Sequence, residues 1–129
     1  MKMGQSATLD FTVGHGDTAV SIGSGDLAVL GTPRLLAWCE GATVSAIASS
    51  VREDQTSLGT RITLEHLAAS TVGERLSVRA TVTHVDGRLV RFEVIGTHSA
   101  DDKVIGRGEI TRIVVDRERF LARLAPAPS

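Results

Sequence analysis

The chain has 129 residues, enough for one domain with its own hydrophobic core and too few for two ordinary domains. Hydrophobic residues make up 42% of the chain and charged residues 22%, which is typical of a soluble globular protein. The formal net charge of −1 gives no electrostatic reason to expect nucleic acid or a membrane surface as a partner.

The cysteine content and the N-terminus indicate the compartment. Cys39 is the single cysteine, so it has no internal partner for a disulfide, as is usual in a reducing compartment. The first ten residues lack the apolar core of a signal peptide, and no apolar run has the length that spans a bilayer. We therefore expect a cytoplasmic protein in which Cys39 is a small core residue.

The first half of the chain predicts a strand followed by a long helix. Residues 8–13 alternate apolar and polar side chains, as in a strand with one face in the core. Thr32 followed by a proline is a helix-start signal, since the hydroxyl can cap the first free N–H groups and proline suits the first turn. The apolar period that follows ends near residues 50–53 and predicts a helix of about twenty residues.

Glu40 is an acidic residue inside the predicted apolar stripe of this helix. It falls between Leu36 and Thr43, on the side that also carries Ile47. A carboxylate in such surroundings must be paired, protonated or reserved for chemistry, because dry burial of the charge is costly. Desolvation would make this carboxylate a stronger base, usable as a general base near neutral pH.

The second half of the chain predicts long antiparallel strands. The apolar period changes to two, and one face of the first of these strands carries Leu58, Ile62, Leu64, His66 and Ala68. Asp86 and Gly87 predict a two-residue hairpin turn. Gly106 and Gly108 predict a bulge or a close backbone approach in the last strand.

One strand, a long helix and a meander of strands make an α+β arrangement, in which the helix lies against one face of an antiparallel sheet. We expect a single domain over residues 1–124 and a disordered tail over residues 125–129. The chain has no His-x-His, Cys-x-x-Cys or His-Glu-x-x-His spacing, so the sequence gives no support for a metal site.

Three polar residues interrupt the apolar pattern in positions that a wrapped sheet would bring together. Thr32 starts the helix, Glu40 lies two turns later, and His66 takes an apolar-phase position in the next strand. A hydroxyl, a carboxylate and an imidazole would then meet at one edge of the core and provide a base and a stabiliser of developing charge. Arg112, in the last strand, is either a surface cation or an anion clamp at this site.

Each of the three residues also has an ordinary structural interpretation. Thr32 can be a helix cap, His66 a hydrogen-bonded core histidine, and Glu40 an acid at the edge of the stripe that reaches solvent. Their joint occurrence favours a functional site.

The same residues identify a family resemblance. The pattern is Thr32, seven intervening residues, Glu40, the run Ser57-Leu58-Gly59-Thr60 and then His66, and it resembles the single-hotdog thioesterases related to fluoroacetyl-CoA thioesterase. The similarity extends over residues 31–120. It implies a hotdog fold, with a long central helix wrapped by an antiparallel sheet, and a homodimer, or a higher oligomer, whose active sites lie at the dimer interface.

The resemblance also implies hydrolysis of an acyl-CoA to the free acid and coenzyme A, with no cofactor, since coenzyme A is part of the substrate. Thr32, Glu40 and His66 would be catalytic, with Glu40 either activating water or attacking as a nucleophile. Gly59 and Arg112 would contact the substrate.

The segment before the helix differs from the fluoroacetyl enzyme, which has a lid with phenylalanines. Residues 21–30 are short and contain no aromatic side chain, so Leu27, Val29 and Leu30 would line the mouth of the site. We therefore expect an ordinary small or medium acyl thioester as substrate. A hotdog acyl-CoA hydratase or dehydratase and a non-catalytic acyl-thioester-binding dimer are the alternatives.

Overall fold

The computed structural model describes residues 1–124, so the predicted tail at 125–129 lies outside the described residues. In chain order the elements are β1 Ser6–Thr12, α1 Ala19–Ile22, α2 Thr32–Ala46, β2 Gln55–His66, β3 Arg75–Asp86, β4 Leu89–His98, β5 Val104–Asp116 and α3 Arg117–Ala122. None of the helices in the described part of the chain is both long enough and apolar enough to cross a membrane.

The five strands form one antiparallel sheet in the order β1-β3-β4-β5-β2. One face of the sheet packs on α2, and the alternation of the strands supplies that face with apolar side chains. The central strands contribute fully buried residues, among them Leu76, Val78, Ala80, Val82, Val90, Phe92 and Val94. The predicted α+β arrangement of one helix against an antiparallel sheet is confirmed.

Helix α2 is shorter than predicted, and its buried side is rotated slightly from the side that the apolar pattern predicted. It ends at Ala46, and a 3-10 turn over Ala48–Ser50 follows, because Ile47 leaves helical backbone geometry with φ −113° and ψ 8°. Its buried seam consists of Leu35, Cys39, Ala42, Thr43 and Ala46. Glu40 lies roughly a third of a turn from the centre of that seam. The interpretation of Glu40 as an acid at the edge of the stripe is therefore correct.

A β-bulge in β2 corrects the predicted face of this strand. Gly59 pairs with Arg112 and Ile62 with Ile110, but the register shifts between Gly59 and Arg61. The extra residue reverses the alternation, so Gly59 and Ile62 face the helix side and Leu58 faces away from it. Leu58 and Ile62 are also exposed, at 36% and 37%, where the sequence predicted burial. Both lie on an edge strand, where no neighbouring strand covers them.

Two glycine predictions are refined by the backbone. The hairpin between β3 and β4 turns at Gly87 and Arg88, one residue later than predicted, because Gly87 supplies the positive φ of 58°. At Gly108 a Cβ atom would overlap the carbonyl group of Thr63, and at Gly106 it would lie 2.9 Å from Leu35. The glycines of β5 therefore permit a close approach. A bulge is also present, because the pairing with β4 passes from Gly106 to Val104 and leaves Ile105 as an extra residue, so both predicted alternatives are found.

Candidate active site

Thr32 is the first residue of α2, and its hydroxyl does not cap the helix. The N-cap is Gly31, and no side chain caps the helix. Thr32 Oγ1 instead lies 2.8 Å from Nδ1 of His66, the last residue of β2. The prediction that Thr32 caps the helix is therefore wrong. A hydroxyl held by an imidazole is the arrangement in which a protein activates or orients an alcohol.

The imidazole of His66 is held in an environment that favours its neutral form. Its Nε2 atom is buried and makes no hydrogen bond of good geometry with any residue in the 1–124 range. Desolvation lowers the pKa of His66 from its ordinary value of 6.5, although the backbone of Ala68 lies close enough to act in the opposite direction. At neutral pH the ring is thus available to accept a proton.

His66→Gln is expected to make the protein less sensitive to acid. Because the pKa of His66 is lowered in the folded chain, the unfolded chain takes up the proton first as the pH falls. The stabilisation from the neutral ring is therefore complete above its ordinary pKa of 6.5 and is lost progressively below it. Urea titrations at fixed protein concentration between about pH 7 and pH 5 should show a smaller loss of unfolding free energy in the variant.

The matched control is His84→Gln, because His84 is an exposed histidine in β3. This variant should lose stability with falling pH as the wild type does. Equal losses in His66→Gln and in the wild type would contradict the assignment.

Glu40 is paired with an arginine that the sequence left ambiguous. Arg112 Nη1 donates to Glu40 Oε2 at 3.1 Å, and Arg112 is only 6% exposed. Ser57 holds the rest of the guanidinium, since Nε donates to its Oγ at 2.8 Å and Nη2 to its carbonyl oxygen at 3.0 Å. Arg112 is thus a buried clamp and not a surface cation. Its charge is compensated by Glu40, and Ser57 accepts hydrogen bonds from two of its nitrogen atoms.

The carboxylate of Glu40 retains contact with solvent in this chain. Its side chain is 35% exposed, so the strong desolvation expected from the sequence is not found, and pairing is the alternative that the structure shows. Gly59 makes this position accessible: a Cβ atom there would overlap Glu40 Oε2 and lie 3.5 Å from Arg112. A side chain at residue 59 would therefore displace the Glu40 carboxylate from its position beside Arg112.

Ser57 is the site residue whose role the sequence did not reveal. It appeared there only as part of the run before Gly59. Its position two residues before that glycine, on the same face of β2, was the available signal. Without the bulge and the pairing with β5, this signal does not identify Arg112 as the partner.

The chain holds the polar residues as two separate pairs. Thr32 and Glu40 are eight residues apart on α2, about 12 Å along the helix axis. Gly59 and His66 are seven residues apart on β2, roughly 20 Å along the strand. Thr32 with His66, the threonine–histidine pair, and Glu40 with Arg112, the glutamate–arginine pair, therefore occupy different places. The expected meeting of Thr32, Glu40 and His66 does not occur within one chain.

Two further residues named from the sequence have clear positions. Leu30 is 1% exposed and belongs to the core, whereas Leu27 is 64% exposed and Val29 is half-buried. Leu30 is thus corrected from a residue at the mouth to a core residue. Cys39 is buried, and desolvation raises the pKa of its thiol to about 12, which agrees with the predicted core role.

Known proteins resemble this chain in sequence and in fold. A family model described as fluoroacetyl-CoA-specific thioesterase matches residues 13–118. The fluoroacetyl-CoA thioesterase of Streptantibioticus cattleyicolor is 32% identical over 96 residues, which cover 74% of this chain and 68% of that protein. A solved threonine-to-serine variant of a fluoroacetyl-CoA thioesterase, in complex with acetyl-CoA, is 29% identical with a TM-score of 0.87, over 95% of this chain and 96% of the other.

A hot-dog-like protein from Thermanaerovibrio acidaminovorans shows the same fold at 19% identity, with a TM-score of 0.83 over 98% of this chain and 96% of the other. The hotdog fold predicted from the sequence is confirmed. The extent of the family match and the identity to the curated relative lead to one conclusion: the chain belongs to the fluoroacetyl-CoA-specific thioesterase family.

Proposed function

We propose that this protein hydrolyses an acyl-CoA thioester to the free acid and coenzyme A. The observation that carries the proposal is the 2.8 Å contact between Thr32 and His66, on a chain that also fixes the carboxylate of Glu40 with a buried arginine. These groups provide a base, an oriented hydroxyl and a nearby cation, and the relatives are named for thioester hydrolysis. No cofactor or metal has a role in the reaction.

The protein acts as a homodimer in this proposal, with each site built from two chains. β2 is an edge strand that carries exposed Leu58 and Ile62, so it offers an unpaired backbone edge and apolar surface to a second copy. In an antiparallel pair of β2 strands, the His66 end of one strand lies beside the Gly59 half of the other. The threonine–histidine pair of one chain then faces the glutamate–arginine pair of its partner.

The proposed reaction balances with these residues and one water. The carboxylate of Glu40 takes a proton from water, whose oxygen attacks the thioester carbon, and the carbon–sulfur bond breaks as the proton passes to the coenzyme A thiolate. The Thr32 hydroxyl, oriented by His66, hydrogen-bonds the developing oxyanion or holds the water in line. A second route uses the same groups: Glu40 attacks the carbon directly, and the carbon–sulfur bond breaks to release the coenzyme A thiolate. Water then hydrolyses the resulting anhydride, which restores the carboxylate, gives the free acid and supplies the proton that the thiolate takes up.

The substrate in this proposal is a small or medium acyl-CoA. The segment before α2 presents Leu27 and Val29 and no aromatic residue, so an aliphatic surface borders the site. A reduced, buried Cys39 agrees with the cytoplasmic location that we propose.

A panel of acyl-CoA substrates tests the function. Purified protein is incubated with acetyl-, butyryl-, hexanoyl- and fluoroacetyl-CoA, and release of the free thiol is followed with a thiol reagent. We expect thiol release with acetyl-, butyryl- and hexanoyl-CoA. Thermal stabilisation by acyl-CoA without thiol release would instead indicate a binding protein, and water addition to an enoyl-CoA would indicate a hydratase.

A further inference from the structure

A second histidine lies in a buried polar cluster outside the proposed active site. His98, at the end of β4, is 9% exposed, and Ser70 is fully buried. Ser70 Oγ lies 2.8 Å from His98 Nε2. The same nitrogen is 3.0 Å from Glu74 Oε2, while Asp101 is 4.0 Å from Nδ1. The proposed reaction uses none of these residues.

Glu74 anchors the cluster from its exposed side. Its Oε1 accepts hydrogen bonds from the backbone N–H of Thr71 at 2.8 Å and from the Thr71 hydroxyl at 2.9 Å. These bonds, the backbone one first, lower the pKa of Glu74, and nearby His98 acts in the same direction. The carboxylate is therefore charged at neutral pH and holds the His98 ring against Ser70.

Ser70 links the two chain segments that lead to the threonine–histidine pair, the one before α2 and the one after β2. Its carbonyl oxygen accepts the N–H of Leu30 at 2.8 Å, two residues before Thr32. The adjacent residue, Thr71, forms a bridge with Val29. Ser70 also lies in the 67–74 connection, four residues after His66. One residue thus fixes the chain entering α2 relative to the chain leaving β2.

The hydroxyl–imidazole contact between Ser70 and His98 is buried, where an apolar pair could fill the same space. An apolar pair of similar volume would be about as stable, because burying both polar groups costs most of what their hydrogen bond returns. The hydrogen bond does, however, select one position for the Ser70 backbone, whereas apolar packing leaves more freedom.

We propose that Ser70 and His98 are positioning residues, which hold the 67–74 segment so that Thr32 Oγ1 and His66 Nδ1 stay at hydrogen-bond distance. The effect on turnover rests on the proposed function; the effect on the Thr32–His66 contact does not. A small displacement of reacting groups is enough to slow an enzyme strongly, so a residue remote from the substrate can control kcat.

Ser70→Ala and His98→Gln test this proposal by two independent measurements. The first is the imidazole NMR signals of His66, recorded where its ring is neutral, which report the hydrogen bond to Thr32. The second is the kinetics of acyl-CoA hydrolysis. We expect both variants to shift the His66 signals and to lower kcat by about tenfold, with KM changed less than about twofold.

A double-variant cycle separates positioning from general destabilisation. In a Thr32→Val background the Ser70→Ala change should lower kcat no further, because the contact that it acts on is already lost. His84→Gln, the same substitution at an exposed histidine, should leave the His66 signals and kcat unchanged.

Unaltered His66 signals in a folded Ser70→Ala variant would overturn the proposal, as would equal losses of kcat with and without the Thr32 hydroxyl. If His98→Gln fails to fold, Ser70→Ala decides, since it removes only one oxygen atom. If the wild type releases no thiol, the proposed function fails, and the His66 signals alone decide whether Ser70 and His98 position the pair.

Discussion

Replacing Glu40 with glutamine is expected to lower kcat for acyl-CoA hydrolysis by about 10²- to 10⁴-fold, the usual contribution of a positioned general base. The amide has the shape of the carboxylate and retains an oxygen that can accept from Arg112 at the 3.1 Å contact. It cannot take a proton from water, however, and it is a poor nucleophile. The defect should therefore appear in thiol release and leave the far-ultraviolet circular dichroism unchanged.

Glu53→Gln is the matched control for this prediction, because Glu53 is an exposed glutamate in the loop before β2. Its turnover should equal that of the wild type. Glu40→Gln also removes a charge that compensates buried Arg112, so its thermal stability must be measured beside its activity. Turnover within about twofold of the wild type in folded Glu40→Gln would remove this residue from the mechanism.

Mixing two variants with defects in different pairs is expected to restore activity if each site is built from two chains. A Thr32→Val chain has an intact glutamate–arginine pair, and a Glu40→Gln chain has an intact threonine–histidine pair. In a mixed dimer one site contains both substituted residues, and the other site contains only unsubstituted residues. Random reassociation of equal amounts makes half of the dimers mixed, so activity should return to about a quarter of the wild-type value. Thiol release is measured after denaturation and joint refolding.

The control for this mixture uses two defects in the same pair. Thr32→Val mixed with His66→Gln should recover no activity, because every site of a mixed dimer then carries one defect. Recovery in this control, or its failure with Thr32→Val and Glu40→Gln, would refute the two-chain site.

Several site residues were predictable from the sequence because their signals are local. Thr32 precedes a proline at the start of an apolar period, and His66 replaces an apolar residue in an alternating strand. Both signals arise within one turn or one strand, so they do not depend on how elements pack. Glu40 was singled out by its place in the apolar stripe, but that place was misjudged because the buried seam is centred on Leu35 and Cys39 and not on Leu36.

Contacts between distant residues were not predictable in the same way. The sequence left Arg112 as either a surface cation or a clamp, and its contact with Glu40 spans 72 residues. It depends on the pairing of Gly59 with Arg112, and hence on a bulge that leaves no clear signal in an alternating pattern. The same bulge turned Leu58 away from the helix side of the sheet.

By itself the sequence determined the helix that begins at Thr32, the antiparallel strands after it and the residue types available for chemistry, because the period of apolar residues fixes which side of each element is buried. The tertiary structure decided which of those residues meet. In the folded chain the Thr32 hydroxyl contacts His66 and the Glu40 carboxylate pairs with Arg112, while β2 is an edge strand of the sheet. These outcomes depend on strand register and helix rotation, which arise only when the whole sheet packs on the helix.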